Sequence, residues 1–217
     1  MAGRSCGSRL TSLLLNKSVL VFALAIPATA PLAVFAQVAP VSQVQQHLRA
    51  VDTMTAQFTQ IDRNGRSLTG TLTLKRPGKV RFQYQSDVPL LVVGDGKSLI
   101  MIDYKVRQVS RVPISSSPLS ALLDPNKDLS RVAKLSPLTS RDKVVLEVRD
   151  SKHPESGAYT FSFSRSPKAP AGLMLEGWTV LDTQGNRTTV HLTGQRLNVA
   201  VSEKAFGWND PRPRNRR

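Results

Sequence analysis

A chain of 217 residues, 40 % of them hydrophobic, is long enough for one domain with a substantial core, and its single cysteine excludes an internal disulfide. Thirty lysines and arginines against fifteen acids leave a formal charge of +15. That balance favours anionic partners (nucleic acid, lipid head groups, acidic protein surfaces) without choosing among them. The amino terminus reads as a secretory signal: Arg4, Arg9 and Lys17 precede an apolar run, Val19 to Ile26, that is too short to span a bilayer. Cleavage is expected after Ala36, with Ala30 as the alternative site and a retained anchor as the alternative reading. Cys6 lies ahead of the apolar run, not after it where a lipidation cysteine belongs, so the exported chain would carry no thiol. Export without disulfides fits a bacterial periplasm.

After the signal, the spacing of Val41, Val44, Leu48, Val51 and Met54 predicts an amphipathic helix over 41–54, with Ser42 and Gln45 as a capping box. From about Ala56 the period changes to two, and strands are expected near 56–62, 69–75, 79–85, 90–94, 98–103 and 106–112. Asn64-Gly65, Pro77-Gly78 and Asp95-Gly96 supply turns between them. Residues 113–140 break the rhythm, and Pro118 to Pro125 reads as a short apolar helix. Strands resume near 143–149, 158–164, 173–182 and 187–194, with Gly177 marking a bulge. Val144, Leu146 and Val148 form one inward row, and Tyr159, Phe161 and Phe163 another. The expected fold is mainly β, one antiparallel sheet of about ten or eleven strands that must curl, with a helix before it and a helical insertion within it. Residues 211–217, with arginines at 212, 214, 216 and 217, are expected to be a disordered basic tail.

Signs of catalysis are missing. Gly94 to Ser98 imitates the end of a phosphate-binding loop, but Leu91 stands where the motif needs glycine and a strand follows instead of a helix. His47, His153 and His191 lack metal spacing and are each expected to be solvated or capping. Neither a nucleophile motif nor a cofactor motif is present, so an enzyme is not expected and cofactors and metal are expected to be none.

From Val41 to Pro125 the chain resembles the LolA family of periplasmic outer-membrane lipoprotein carriers. The resemblance rests on ordered pieces: Leu48-x-x-Val51-x-x-Met54, Ala56 to Gln60, Gly70-x-Leu72, Lys75-Arg76-Pro77-Gly78, Phe82-x-Tyr84, Asp95-Gly96-Lys97-x-Leu99, Val106-x-Gln108-Val109 and Pro118-Leu119-x-x-Leu122-Leu123. Phe206 with Asp210-Pro211 resembles the family's carboxy-terminal end. A signal without a lipidation cysteine suits the soluble carrier better than its lipid-anchored relative LolB. The resemblance implies an unclosed antiparallel barrel under a helical lid, occupying residues 37–210 between the signal over 1–36 and the tail. It also implies acylated lipoproteins as cargo, taken from an inner-membrane ABC transporter to an outer-membrane acceptor or to anionic outer-membrane lipid, by a monomer.

The residues expected to line the apolar concavity are Phe58, Leu72, Leu74, Val80, Phe82, Leu91, Val93, Ile100 and Ile102. Leu48, Val51, Met54, Leu119, Leu122 and Leu123 would form the underside of the lid, and for each of these the alternative is ordinary core packing. The resemblance implies that Arg76 tethers barrel to lid in the closed state. Bulkier aromatics often sit in the family where Met54, Val80 and Ile100 stand here. Two other readings compete: a LolA-fold or lipocalin-like periplasmic binding protein for free lipid or another small hydrophobic ligand, and a polyanion binder using Lys75, Arg76, Lys79 and Arg81 with Phe82 and Tyr84 as stacking platforms. Export argues against nucleic acid as the partner.

Overall fold

The computed structural model describes residues 39–213 except 118, 150, 152 and 153; the signal, the end of the basic tail and His153 lie outside the described residues. The chain begins with helix α1 (Pro40–Ala50), whose proline sits in a first turn where its missing N–H costs nothing. The expected capping box does not form. Ala39 is the N-cap, no side chain caps the helix, and Gln45 is used elsewhere. The helix also stops at Ala50, short of Met54. Asn198, in the left-handed conformation, accepts from the Asp52 N–H at 2.9 Å and donates to the Ala50 carbonyl at 2.9 Å. From Thr53 onward the backbone is taken by two ladders at once, and that pairing outweighs the helical spacing of the side chains.

A meander follows: β1 (Thr53–Ile61), β2 (Ser67–Lys75), β3 (Lys79–Tyr84), β4 (Leu90–Asp95), β5 (Ser98–Asp103) and β6 (Gln108–Pro113). After an insertion of short helical turns that holds α2 (Ser120–Leu123) comes a second meander. It comprises β7 (Ala133–Leu135), β8 (Lys143–Arg149), β9 (Ala158–Arg165), β10 (Leu173–Leu181) and β11 (Arg187–Leu197). β7 was not expected; three residues are too few to show an alternation, and only pairing with β8 defines it.

The strands form one 11-stranded antiparallel sheet in the order β6-β5-β4-β3-β2-β1-β11-β10-β9-β8-β7. β11 returns to lie beside β1, so the two meanders join along a single ladder, and β6 and β7 are left as free edges. The barrel is unclosed. The register slips between Thr55 and Gln57 on β1, and between Leu175 and Gly177 on β10. At the second bulge Gly177 has a φ of +148°, and a Cβ there would lie 2.0 Å from the Val190 carbonyl oxygen, so only glycine fits.

Two cores result. The larger joins α1, α2 and the inward side chains of β1–β3 with those of β8–β11. The smaller lies on the other face of β4 and β5, beneath the segment Val201–Trp208.

Candidate functional site

Directly opposed residues of an antiparallel pair share a face, so the register alone sorts the side chains. Met54 faces Leu74, Ala56 faces Leu72, Leu72 faces Phe82 and Leu74 faces Val80, which makes one continuous inner surface across β1, β2 and β3. Phe58 sits opposite Gly70, where a Cβ would come within 2.7 Å of the phenyl ring; the glycine leaves room for that ring. Phe58 in turn meets Phe82 at 5.5 Å and Tyr84 at 5.1 Å between centroids, both edge to face. The Tyr84 hydroxyl donates to the Gln60 side chain at 2.8 Å.

Over this surface lie Val44 and Leu48 of α1, Val51 after it, and Leu119, Ala121, Leu122 and Leu123 in and before α2. Eleven of the residues expected from the sequence are therefore brought together: Leu48, Val51, Met54, Phe58, Leu72, Leu74, Val80, Phe82, Leu119, Leu122 and Leu123. Met54 belongs to the floor, on β1, and not to the lid. Leu91, Val93, Ile100 and Ile102 do not join them. Phe82 pairs with Val92 and Arg81 with Val93, so Leu91 and Val93 point to the outer face with their partners Ile102 and Ile100. There they pack on Phe206, Val201 and Trp208. The inner positions of these strands are Leu90, Val92, Leu99 and Met101, and Met101 is 54 % exposed. Not expected from the sequence were Trp178, Val190 and Leu192, which complete the interior from β10 and β11. Beneath the lid the space bounded by Val44, Leu48, Leu122, Leu129, Phe161 and Phe163 is about 10 Å³, barely the room of one water. At this place the lid packs directly on the sheet.

The turn after β2 fastens the lid. Arg76 donates from Nε to the Leu122 carbonyl at 3.0 Å and from a terminal nitrogen to the Val51 carbonyl. Its backbone N–H reaches the Asp52 carbonyl at 2.8 Å, and the Gly78 N–H reaches that of Leu123 at 3.1 Å. One planar guanidinium thus joins the sheet to both lid segments, a task suited to its forked donors. Burial pulls its pKa down to about 10, against the opposing charge of Asp52, so it stays a cation at neutral pH.

α1 has further clasps. Gln45 donates to the Pro125 carbonyl at 2.8 Å and accepts from the Leu129 N–H at 3.1 Å. Gln43 donates to the Ala171 carbonyl at 2.9 Å and accepts from Arg165 at 2.9 Å. His47, expected to be solvated or capping, is instead buried between the lid and β9.

On the outer face Glu203 bridges Lys75, at 2.6 Å, and Lys79, the two lysines that flank the Arg76 turn. Arg81 donates to the Gly207 carbonyl at 2.7 Å, and Arg111 stacks over Trp208 at 5.5 Å. Phe82 and Tyr84 are buried on the inner face while Lys79 and Arg81 hold this strap outside, so these aromatics and cations do not share a stacking surface. A groove of about 590 Å³ on the outer face of β8–β10 is lined by Leu138, Val145, Ala158 and Leu181 together with Lys143, Glu147 and Arg149. Among the described residues there is no group of three or more His, Cys, Asp or Glu placed to hold a metal.

Known proteins share this sequence pattern. The chain is 29 % identical over 190 residues to the outer-membrane lipoprotein carrier protein of Chromobacterium violaceum, covering 84 % of this chain and 89 % of that one. It is 29 % identical over 189 residues to the protein of the same name from Dechloromonas aromatica, covering 83 % and 88 %. A solved LolA superfamily protein from Nitrosomonas europaea aligns over 78 % of this chain and 96 % of that one, at 10 % identity and a TM-score of 0.43. The family model described as outer membrane lipoprotein carrier protein LolA matches residues 49–209. The chain belongs to the LolA family.

Proposed function

We propose that this chain is a periplasmic carrier that shields the acyl chains of lipoproteins on their way from the inner to the outer membrane. The name borne by its relatives supports the class of cargo. The observation that carries the reading is the Arg76 latch: one side chain holds two lid segments shut over an interior made of apolar side chains. A merely structural core has no need of one side chain that ties two separate cover segments to the sheet. Burying a methylene is worth about 0.8 kcal/mol, so one acyl chain of about sixteen carbons is worth on the order of 12 kcal/mol. A triacylated protein crosses an aqueous compartment only inside such a shield. In this scheme an inner-membrane ABC transporter loads the carrier, the lid and latch part as chains enter, and an outer-membrane acceptor or anionic lipid receives them.

The test is direct. Residues 37–217, free of the signal, are added to spheroplasts or transporter vesicles loaded with a lipoprotein. Release of that lipoprotein as a soluble one-to-one complex supports the reading. A folded protein that leaves it in the membrane removes it.

A further inference from the structure

One titratable group beneath the lid has no part in the carrier scheme. His47 projects from α1 and is 2 % exposed. Its ring meets Phe163 of β9 edge to face, with centroids 5.6 Å apart. Nδ1 lies 3.0 Å from the Pro170 carbonyl oxygen. A carbonyl only accepts, so Nδ1 carries the proton and Nε2 is left as the basic nitrogen. The imidazole is neutral in the closed state and fixed in one tautomer by the turn that follows β9.

The charged groups around it favour that neutral form. Elements packed on α1 contribute Arg76 from the latch turn, Arg165 of β9, Lys168 beside Pro170, Lys134 of β7, Asp128 and Arg131 flanking Leu129, and Glu176 of β10. α1 itself contributes Arg49, and Asp52 follows it. Asp128 is engaged by Ser130 and Arg131, Glu176 by Lys143 at 3.2 Å, and Arg165 by Gln43. The charge that reaches the ring is the Arg76 guanidinium. Burial holds the His47 pKa below its ordinary value; the Pro170 carbonyl opposes this, and Arg76 adds to it.

We propose that His47 is a proton-triggered release for the lid, in which a second proton taken up at Nε2 places two cations under one apolar cover and α1 lifts from the sheet. An open lid puts the imidazole in water, where its pKa returns to about 6.5. The open form therefore binds the proton more readily than the closed one, and acidification through that value shifts the population toward open. The use of such a trigger rests on the carrier reading, because opening gives acyl chains access to Leu48, Leu122 and Phe163; the trigger itself is a property of the fold.

The experiment uses residues 37–217 and N-phenyl-1-naphthylamine, a neutral apolar dye, between pH 8 and pH 5. Dye binding is expected to rise several-fold in the wild type as pH falls, and to stay at its pH 8 level in His47→Gln. A flat wild-type profile, or an equal rise in the variant, would overturn the proposal. Should His47→Gln fail to fold, imidazole NMR of the wild type decides. A neutral Nδ1–H ring whose protonation coincides with lost amide protection in α1 supports the trigger; titration with that protection unchanged sinks it. Lipoprotein capture measured at pH 8 is independent of this titration, so failure of the carrier reading and failure of the trigger are told apart.

Discussion

The rings of Phe82 on β3 and Trp178 on β10 meet edge to face with centroids 5.9 Å apart. Four strand spacings separate these strands in the sheet, about 19 Å if it were flat. The inner face therefore wraps until opposite walls touch, and this pair is one of the contacts that hold the wrap. Trp178→Ala is expected to destabilise the protein by about 3–5 kcal/mol in urea unfolding. Thr193→Ala, on an exposed position of β11, is expected to cost less than about 1 kcal/mol. Equal losses at the two positions would contradict the role given to the contact.

Arg76→Leu removes both side-chain donors to the lid while the backbone bonds of the turn remain. The fold is expected to survive, with an unchanged circular dichroism spectrum. Cargo hand-off is expected to fail if, as proposed, return to the fastened closed state expels the chains. Transfer from a purified complex to acceptor membranes measures it, and normal transfer removes Arg76 from the machinery.

Leu122 and Ile102 are equally buried, at 3 % and 0 % exposure, but lie on opposite faces of the sheet. Each change to alanine is expected to cost about 2–5 kcal/mol of folding stability. Only Leu122→Ala is expected to weaken lipopeptide binding, by about tenfold, below the denaturation temperature of both variants. Equal loss of binding in Ile102→Ala would mean that cargo reaches the outer core.

Glu203 sits between Lys75 and Lys79, whose hydrogen bonds and charges hold its pKa down to about 2, below an ordinary value of 4.5. A carboxylate with a depressed folded pKa stabilises above its unfolded value, and that contribution disappears as pH falls from about 4.5 toward 2. The strap is accordingly expected to loosen over this window. Trp208 fluorescence in a Trp178→Phe background follows it, and Glu203→Gln is expected to abolish this pH dependence. An unaltered acid transition in that variant would assign it to another group.

Much of the sheet is legible from alternation: Val80, Phe82 and Tyr84 face inward as their spacing requires, and Gly177 marks its bulge. The parity of β4 and β5 is not. Leu90 to Val93 and Leu99 to Ile102 are unbroken apolar runs, because both faces of these strands are covered except at Met101, so no local pattern says which half points inward. The distant signal was Val201, Phe206 and Trp208, apolar residues in a segment with no strand of its own to belong to. Met54 misled for another reason: its helical spacing from Val51 is real, but Thr53 onward has ladder partners on both sides. His47 could have been found, since it stands three residues after Val44 and beside Leu48 on the apolar stripe of α1.

The single ladder between β1 and β11 makes the barrel a pair of wings on one spine, with a bulge on β1 along it and another on β10 one strand away. An interior whose lid packs directly on the sheet has no fixed capacity to exceed. It acquires volume by spreading the wings, and because no ladder pairs β6 with β7, that movement breaks side-chain contacts and lid bonds but no strand pairing. Chain length should then be a weak determinant of affinity: a longer acyl chain opens the wings further along the same apolar walls, and the carrier discriminates by the presence of a greasy anchor more than by its size.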